Sequence, residues 1–212
     1  MKPLLTLSAL VATCLFGGSL DVAANDSATA GAREMVDVAR FDDAGRMHVP
    51  ADIESWVFAG SSLGMGYSQE EFSPGSPGRF QIVRVEPTAY AVFKRTGRFP
   101  DGTMLSLHFF GSANHSSINR AGFVMDQLEF VEIHYKDSAR FPDGFNFYTF
   151  NPGEKLAQEV SLPNDCVACH KRDGAYDSTF MQFYPELQQY LPHAARSAVE
   201  AAVHGHSKPA DD

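Results

Sequence analysis

Two cysteines and a histidine lie together near the C-terminal end of the chain, in the sequence CVACH at residues 166–170. This spacing is the attachment signature of a c-type haem. Each thiol can add to one vinyl group of the porphyrin, because two intervening residues keep both sulfurs on one helical turn. His170 can then reach the iron from the same side as its proximal axial ligand. The motif predicts one covalently attached haem c, held by Cys166, Cys169 and His170.

A redox-active CxxC pair or a structural disulfide is the alternative interpretation of these two cysteines. A thioredoxin-type pair normally begins a helix after a strand, in a βαβ unit near the N-terminus. Cys166 and Cys169 lie instead in the last quarter of the chain, and His170 follows them directly. The position and the adjoining histidine favour haem attachment.

The N-terminal sequence, MKPLLTLSALVATCLFGGSLDVAAND, predicts export. A lysine is followed by an apolar run too short for a confident membrane span, and small residues end the segment. We therefore expect a signal peptide over residues 1–24, cleavage near Ala24 and a periplasmic mature protein. Cys14 would leave with the signal peptide. A lipoprotein anchor at Cys14 is the alternative, but Thr13 is a poor residue before a lipidated cysteine.

Charge and size narrow the class of protein. The formal net charge of −9 argues against a nucleic-acid partner and against binding to anionic lipid, which both require a basic face. No apolar run after the predicted signal peptide is long enough to cross a membrane, so we expect no membrane attachment. About 190 mature residues suit one domain with a substantial core. The seventeen phenylalanines suit an aromatic cofactor pocket, although an ordinary core would account for most of them.

The tetrapeptide FPDG occurs twice, at residues 99–102 and 141–144, and predicts two turns, because proline fixes φ and glycine accepts positive φ. Strands are predicted at residues 79–86, 103–111, 122–136 (one long strand or two shorter ones) and 145–150. Helices are predicted at residues 50–58, 87–97, 178–191 and from 193 onward, and loops at 61–78 and 151–165. This order predicts an α+β domain, with a mainly antiparallel sheet, packed helices and a C-terminal CxxCH segment.

The same outline predicts the organisation of the whole chain. We expect a loose lead-in over residues 25–38, a haem domain over residues 39–191, and a helical to disordered tail over residues 192–212. Two familiar haem folds are excluded. A small electron-transfer cytochrome c carries its attachment motif near the N-terminus, and a helical-bundle cytochrome c′ has four amphipathic helices, whereas strands and turns precede the motif here.

Several stretches between Ala39 and Leu187 together resemble the cytochrome P-460 family, which includes the β-type cytochromes c′. They are ARFDDAGRMHVP, IESWVFAG, EPTAYAVFKRTGRFPDGT, CVACH and FMQFYP. The resemblance implies a homodimer with a mainly antiparallel sheet and one haem per chain, with a proximal histidine and an open distal side. It also implies a small nitrogen-oxide ligand. Some members oxidise hydroxylamine or NO, and the β-type cytochromes c′ bind NO behind a cap of phenylalanines.

The oxidising members of that family cross-link a lysine to the haem ring, and the matching position here is Leu107. There is no lysine between Lys94 and Lys136, so the strand over residues 103–111 cannot supply the cross-link. This departure from the family pattern weighs against an oxidising activity. It favours an apolar distal wall, because Leu105, Leu107 and Phe109 would share one strand face. Candidates for a cap over the iron are Phe80, Phe109, Phe123 and Phe130.

The distal carboxylate of the family corresponds to Glu132. In a strand, residues 128, 130, 132 and 134 share one face, so Glu132 would lie among Leu128, Phe130 and His134. Burial there would raise the pKa of the carboxyl group and suit it to accept a proton. The alternative is that Glu132 faces solvent while Val131 and Ile133 point inward.

Other positions are less informative. A distal arginine of the family falls at Gln81, with Arg79 on the same strand face and Arg84 on the other. Met181 is expected to lie in the core. Six histidines are candidates for a sixth iron ligand, although each is more simply a surface residue: His108, His115, His134, His193, His204 and His206.

Three functions follow from these residues. The leading hypothesis is a periplasmic mono-haem cytochrome that binds NO or a similar small nitrogen oxide at an open distal site. The second is an enzyme that oxidises hydroxylamine or NO, with Glu132 as proton acceptor. The third is an electron-transfer cytochrome with a redox partner protein, which needs a strong sixth ligand.

Overall fold

The computed structural model describes residues 35–66, 77–114, 118 and 121–204. The chain divides into two units, residues 1–32 and 33–212, and all described residues belong to the second. Several predictions concern residues outside the described set: the signal peptide over residues 1–24, Cys14, His115, His206 and most of the lead-in.

Seven antiparallel strands form one sheet, in the order β1-β7-β6-β5-β4-β3-β2. The strands are β1 (Met47–His48), β2 (Val57–Leu63), β3 (Phe80–Val85), β4 (Met104–Ala113), β5 (Val124–Lys136), β6 (Phe145–Phe150) and β7 (Leu156–Glu159). Each of the strands β2 to β6 pairs with the strand that follows it along the chain, because consecutive elements are usually neighbours in space. The predicted α+β fold with a mainly antiparallel sheet is confirmed.

The α-helices of the described residues are α1 (Pro87–Thr96), α2 (Asp165–Asp173), α3 (Pro185–Gln188) and α4 (His193–His204). Helix α1 shows how the sequence sets its ends. The Glu86 carboxylate accepts hydrogen bonds from the N–H groups of Thr88 and Ala89, and Gly97 ends the helix with a φ of 68°. None of the described helices has both the length and the apolarity that a membrane span requires.

Three predicted segments are wrong in part. Residues 50–58 form only a single 3-10 turn (Ile53–Ser55), and β2 begins at Val57 because its backbone pairs with β3. Within the predicted loop over residues 151–165, β7 pairs with both β6 and β1. Residues 178–191 are not one helix. A 3-10 turn (Met181–Phe183) precedes α3, because Pro185 fits only the first turn of a helix.

Each face of the sheet is covered by its own core. On the first face, α1, α3 and α4 pack against Val85 and Leu105, with Phe93, Leu187 and Val199 buried between them. The predicted core residue Met181 is fully buried in this cluster. Val36, at the end of the predicted lead-in, also packs there.

The opposite face carries a second core that includes Met104, Ile133 and Tyr148 from the sheet, together with Met47 and Trp56. Helix α2 lies on the first face, where Val167 packs against Phe145 and Phe147 of β6. Because both faces are covered there, residues of the middle strands such as Val131, Ile133 and Tyr148 are enclosed.

Candidate functional site

The CVACH residues lie in α2, which is anchored to β6 at its N-terminal end. The Asn164 side chain accepts a hydrogen bond from the Val167 N–H at 2.9 Å, which caps the helix. The Asn164 amide also donates to the side-chain oxygen of Asn146, at 3.1 Å. Asn146 is fully buried in β6. This pair of amides fixes the start of α2 on the sheet.

His170 has the tautomer and the charge that an iron ligand needs. Its Nδ1 lies 2.9 Å from the backbone carbonyl oxygen of Ser178. Because a carbonyl oxygen only accepts, Nδ1 carries the proton and Nε2 keeps its lone pair. Burial lowers the pKa of His170, against the opposing effect of the Ser178 hydrogen bond, so the imidazole is neutral at pH 7. A neutral imidazole with a lone pair on Nε2 is a metal ligand.

The turn that supplies this carbonyl is held close to the end of α2. Asp177 and Ser178 adopt φ angles of 50° and 54°, in the left-handed region that non-glycine residues seldom occupy. A Cβ atom on Gly174 would lie 2.5 Å from the His170 carbonyl oxygen and 2.9 Å from the Ser178 carbonyl carbon. The missing side chain at Gly174 therefore allows the turn to approach His170.

The two cysteines are free thiols of intermediate exposure. Burial raises the pKa of Cys166, and the nearby Glu132 carboxylate raises it further. Burial and a hydrogen bond to Asp173 raise the pKa of Cys169. A redox-active CxxC pair normally contains a cysteine of lowered pKa, so this environment does not favour thiol exchange. Within the described part of the chain, no three or more His, Cys, Asp or Glu residues are placed to hold a bare metal ion.

A cleft lies beside His170, on the first face of the sheet. The sheet contributes Gln81, Val83, Leu105, Leu107, Glu132, His134 and Phe147 to the wall. The segment after α2 contributes Thr179, Phe180, Phe183 and Tyr184, and the end of β2 with the residues after it contributes Ser61, Ser62 and Met65.

Strand pairing arranges the sheet residues in rows across the cleft. The first row is Val85, Leu105, His134 and Phe147; the second is Val83, Leu107, Glu132 and Thr149; the third is Gln81, Phe109 and Phe130. The His170 ring belongs beside the first row, with its centroid 5.4 Å from that of His134 and 4.8 Å from that of Phe147. The third row lies four residues along the strands, about 13 Å from the first.

Glu132 faces the cleft beside Leu107, and burial raises the pKa of its carboxyl group. Its neighbours Val131 and Ile133 are buried in the core of the opposite face. The two interpretations of the sequence are therefore both correct in part. Val131 and Ile133 point into a core, and Glu132 points into an enclosed cleft and not toward open solvent.

The predicted face of β5 is interrupted at one residue. The register of β4 and β5 shifts between Phe109 and Phe110, so Leu128 packs against the core of the opposite face and not beside Phe130. A β-bulge has this effect, because one extra residue reverses the alternation of side chains beyond it. The prediction that Leu128 shares the face of Glu132 is wrong for this reason.

The predicted phenylalanine cap is placed differently by the structure. Phe80 precedes Gln81, which faces the cleft, so the Phe80 side chain is on the opposite face of the strand. Phe123 is 39% exposed. Phe109 and Phe130 stack on one another at 4.2 Å in the third row, but neither lines the cleft directly.

Sequence reasoning missed the aromatic residues that do line the cleft. Phe147 could have been predicted, because alternation along FNFYTF places Phe145 and Phe147 on one strand face. Phe180, Phe183 and Tyr184 follow the attachment motif, but only tertiary packing brings them to the wall. Met65 and Ser62 carried no sequence signal.

The structure also separates the candidate sixth ligands. His108 points to the opposite face and its Nε2 lies 3.0 Å from the Ser106 hydroxyl, and His193 and His204 are exposed on α4. Among the described histidines, only His134 joins His170 in the cleft wall. It belongs to the first row, directly beside the His170 ring, and does not face His170 across the cleft.

His134 provides a test of whether these residues suit a haem. The residue is 7% exposed, and neither ring nitrogen has a hydrogen-bond partner among the described residues. Buried polar atoms nearly always have a partner, and the single N–H of the neutral His134 ring would suit an acceptor atom on a group bound in the cleft. A haem has two propionate carboxylates and a large apolar ring. The orphaned nitrogens, the apolar wall, the neutral His170 and the two adjacent thiols all suit this group.

A family comparison agrees with the geometry. The family model described as Cytochrome P460 matches residues 50–181, more than half of the chain, and includes the attachment motif and most of the cleft. No curated protein matches the chain. The protein is therefore a haem-binding cytochrome that belongs to the cytochrome P460 family.

Proposed function

We propose that this chain is an exported, mono-haem c-type cytochrome that binds NO or a similarly small nitrogen oxide at an open sixth position of the iron. Cys166 and Cys169 would hold the ring, and His170 would hold the iron. The haem supplies a redox-active iron centre that binds small diatomic molecules. The observation that carries the proposal is the cleft, which has one neutral histidine ready to ligate and a largely apolar wall across from it.

Each part of the wall has a task in this proposal. The Ser178 carbonyl orients His170 and keeps the proton on Nδ1. Val83, Leu105 and Leu107 exclude water from the cleft and disfavour anionic ligands, because an anion loses solvation among apolar side chains. A neutral diatomic molecule loses little solvation there. The protein would then store, sense or scavenge its ligand with no required turnover.

Mass spectrometry and an NO titration of the purified mature protein test this proposal. We expect the intact mass to include one haem per chain, and Cys166→Ala or Cys169→Ala to weaken its retention under denaturing conditions. Ferrous protein should bind NO with one-to-one stoichiometry. Absence of covalent haem, or failure of the ferrous iron to bind NO, contradicts the proposal.

A second candidate function is the oxidation of hydroxylamine or NO, with Glu132 as proton acceptor. The position of Glu132 in the cleft and the raised pKa of its carboxyl group favour it. Leu107 weighs against it, because it stands where oxidising relatives have their cross-linking lysine. A turnover assay with an artificial electron acceptor separates the two functions. Oxidation faster than that of a haem-peptide control, and abolished by Glu132→Gln, would favour the enzyme.

Export and self-association complete the proposal. The N-terminal sequence and the c-type motif support a periplasmic location, which cell fractionation and N-terminal sequencing of the mature chain can test. A homodimer is supported by the apolar start of β5, where Phe123, Val124 and Met125 are 39%, 43% and 50% exposed. A redox partner is needed only if the iron changes oxidation state during function.

A further inference from the structure

The turn that accepts the hydrogen bond from His170 has an unusual backbone. Its end residues are Tyr176 and Thr179, whose backbones exchange hydrogen bonds of 3.4 and 2.9 Å. Both central residues, Asp177 and Ser178, have positive φ angles, as in a type I′ turn. Such angles cost free energy in residues other than glycine, so contacts with the surrounding structure must hold the turn in place.

Lys136, at the end of β5, makes one of these contacts. Its Nζ donates to the Asp177 carboxylate at 2.5 Å and to the Phe99 carbonyl oxygen at 2.8 Å. Phe99 begins the first FPDG turn, and its buried ring stacks on that of Phe93 at 4.3 Å. The side chains of Lys136 and Asp177 are only 21% and 29% exposed. Lys136 therefore connects the carboxylate of the turn to the core beside the first FPDG turn.

This ion pair can reach His170 through the backbone of the turn. Asp177 directly precedes Ser178, whose carbonyl oxygen lies 2.9 Å from Nδ1 of His170. Neither Lys136 nor Asp177 lines the cleft, and both line a separate groove with Phe99. The contact with the imidazole is therefore made by the turn, and not by either member of the ion pair.

We propose that Lys136 is a positioning residue for the iron ligand His170. Its ion pair with Asp177 holds the Ser178 carbonyl against Nδ1 of the imidazole. The inference rests on the proposed function, because it needs a haem iron bound to His170. A hydrogen bond from Nδ1 orients an imidazole ligand and raises its basicity. A more basic ligand favours ferric over ferrous iron, so the ion pair should keep the midpoint potential of the haem low.

Three variants break the ion pair. Lys136→Met removes the cation, and Asp177→Asn removes the anion while keeping a residue that accepts positive φ. The double variant separates positioning from the direct effect of charge. Burial lowers the pKa of His134 in the cleft wall, and the charge of Lys136 lowers it further, so this charge acts in the cleft through space. In the double variant the two charge changes oppose one another, whereas the turn still loses its contact.

Two further variants complete the set. Lys136→Arg keeps the charge and the hydrogen-bond donors. Lys171→Met is the matched control, because it also removes a cation and breaks an ion pair, with Asp143, at the residue next to His170. Two properties of the purified haem protein are measured. Resonance Raman spectroscopy gives the iron–histidine stretching frequency of the ferrous protein, and spectroelectrochemistry gives the midpoint potential.

We expect the stretching frequency to fall by the same amount in Lys136→Met, Asp177→Asn and the double variant, because each breaks the same contact. The midpoint potential of the double variant should rise by about 28 mV, which is a roughly threefold change in the ratio of ferrous to ferric haem. Lys136→Arg should keep most of the wild-type frequency, and Lys171→Met should keep all of it.

A double variant with the wild-type frequency and potential would overturn the inference, since the ion pair would then act only through the charges of its members. An equal fall in frequency in Lys171→Met would also overturn it, because any cation near α2 would then have the same effect. A low-spin wild-type ferrous protein would contradict the open sixth position of the proposed function, and the potential of the double variant would still test this inference. If no haem iron is bound to His170, both fail.

Discussion

Glu132 is the only acidic side chain among the described residues that line the cleft. Burial raises the pKa of its carboxyl group, so protonation of Glu132 is easier there than in water. Reduction of the iron adds negative charge to the same enclosed space. Because two negative charges repel one another at low dielectric, the pKa of Glu132 should rise further in the reduced state.

The first prediction concerns this coupling. The midpoint potential of the wild-type protein should fall as pH rises between the two pKa values of Glu132, by up to about 59 mV per pH unit for one electron and one proton. Glu132→Gln should remove this slope and raise the potential above pH 7. Spectroelectrochemical titration measures both, and Glu200→Gln on exposed α4 is the control. An unchanged slope in Glu132→Gln would show that another group carries the proton.

The second prediction concerns His108, which is 2% exposed on the opposite face of the sheet. Burial, and to a lesser extent the charge of Arg84, lowers the pKa of His108 from 6.5 to about 4. The unfolded chain binds a proton near pH 6.5 and the folded chain does not. Stability is therefore full above pH 6.5 and falls as the pH drops toward 4.

Denaturant unfolding at pH 7.5 and pH 5 tests this effect. The wild-type protein should lose roughly 1–2 kcal/mol more unfolding free energy than His108→Gln over this interval. Glutamine can keep a hydrogen bond to Ser106 without titrating. His193→Gln, on the exposed surface of α4, should behave like the wild type. Parallel loss of stability in the wild-type and His108→Gln proteins would contradict the assignment.

At this scale, only part of the site could be predicted from the sequence. The cysteines and histidine of CVACH could be identified as candidates because they are contiguous and one helical turn fixes their relative positions. Glu132 was ambiguous, since alternation cannot distinguish a core from a cleft on the other face. The strand face of Leu128 was predicted wrongly because no residue type in β5 indicates the β-bulge. Phe180 reaches the cleft wall only through packing between distant segments.

At the scale of elements, the contact between α2 and the following turn controls His170. A Cβ atom at Gly174 would collide with the backbone of both segments. Gly174→Ala should push the turn away and weaken the hydrogen bond from His170 Nδ1 to Ser178. A weaker bond makes the imidazole a poorer electron donor to the iron.

The third prediction is a rise in midpoint potential in Gly174→Ala, on the order of 60 mV, which is a tenfold change for a one-electron couple. The iron–histidine stretching frequency of the ferrous protein, measured by resonance Raman spectroscopy, should fall. Gly111→Ala is the control, because a Cβ there meets only ordinary contacts at 3.5 Å. If the potential and stretching frequency match those of the wild type, the turn does not tune His170.

Helices and strands could be predicted where capping and turn residues within the same segment determine their ends. Helix α1 has a proline start, an acidic cap and a glycine stop, and the two FPDG turns precede strands β4 and β6 as predicted. Strand β7 was missed because its four residues become a strand only through pairing with β6 and β1. Residues 50–58 were predicted as a helix because Pro50 resembles a helix start. The pairing of β2 with β3, which makes the end of this segment a strand, has no signal in the sequence.

At the scale of the whole molecule, the proposed homodimer needs an exposed apolar surface, and the start of β5 provides one. Phe123, Val124 and Met125 form a consecutive apolar run that is 39% to 50% exposed. We expect these exposed apolar side chains to contribute to the interface of the proposed homodimer.

The fourth prediction is that the purified protein is a dimer by light scattering and that Val124→Glu shifts it toward monomer. A buried charge at an interface is costly, so the dissociation constant should rise at least tenfold. Val203→Glu is the matched control, because Val203 on α4 is 48% exposed and lies outside this run. A wild-type monomer, or a Val124→Glu dimer of unchanged affinity, would contradict the assignment.

The open sixth position of the iron is the central claim, and the optical spectrum of the purified mature protein tests it most directly. The spectrum should be recorded in the ferric and ferrous states and again after NO is added. We predict a broad high-spin ferrous spectrum that changes on adding NO. Sharp low-spin α and β bands before any ligand is added would contradict the claim. A side chain such as Met65 would then fill the sixth position, and electron transfer would become the better account.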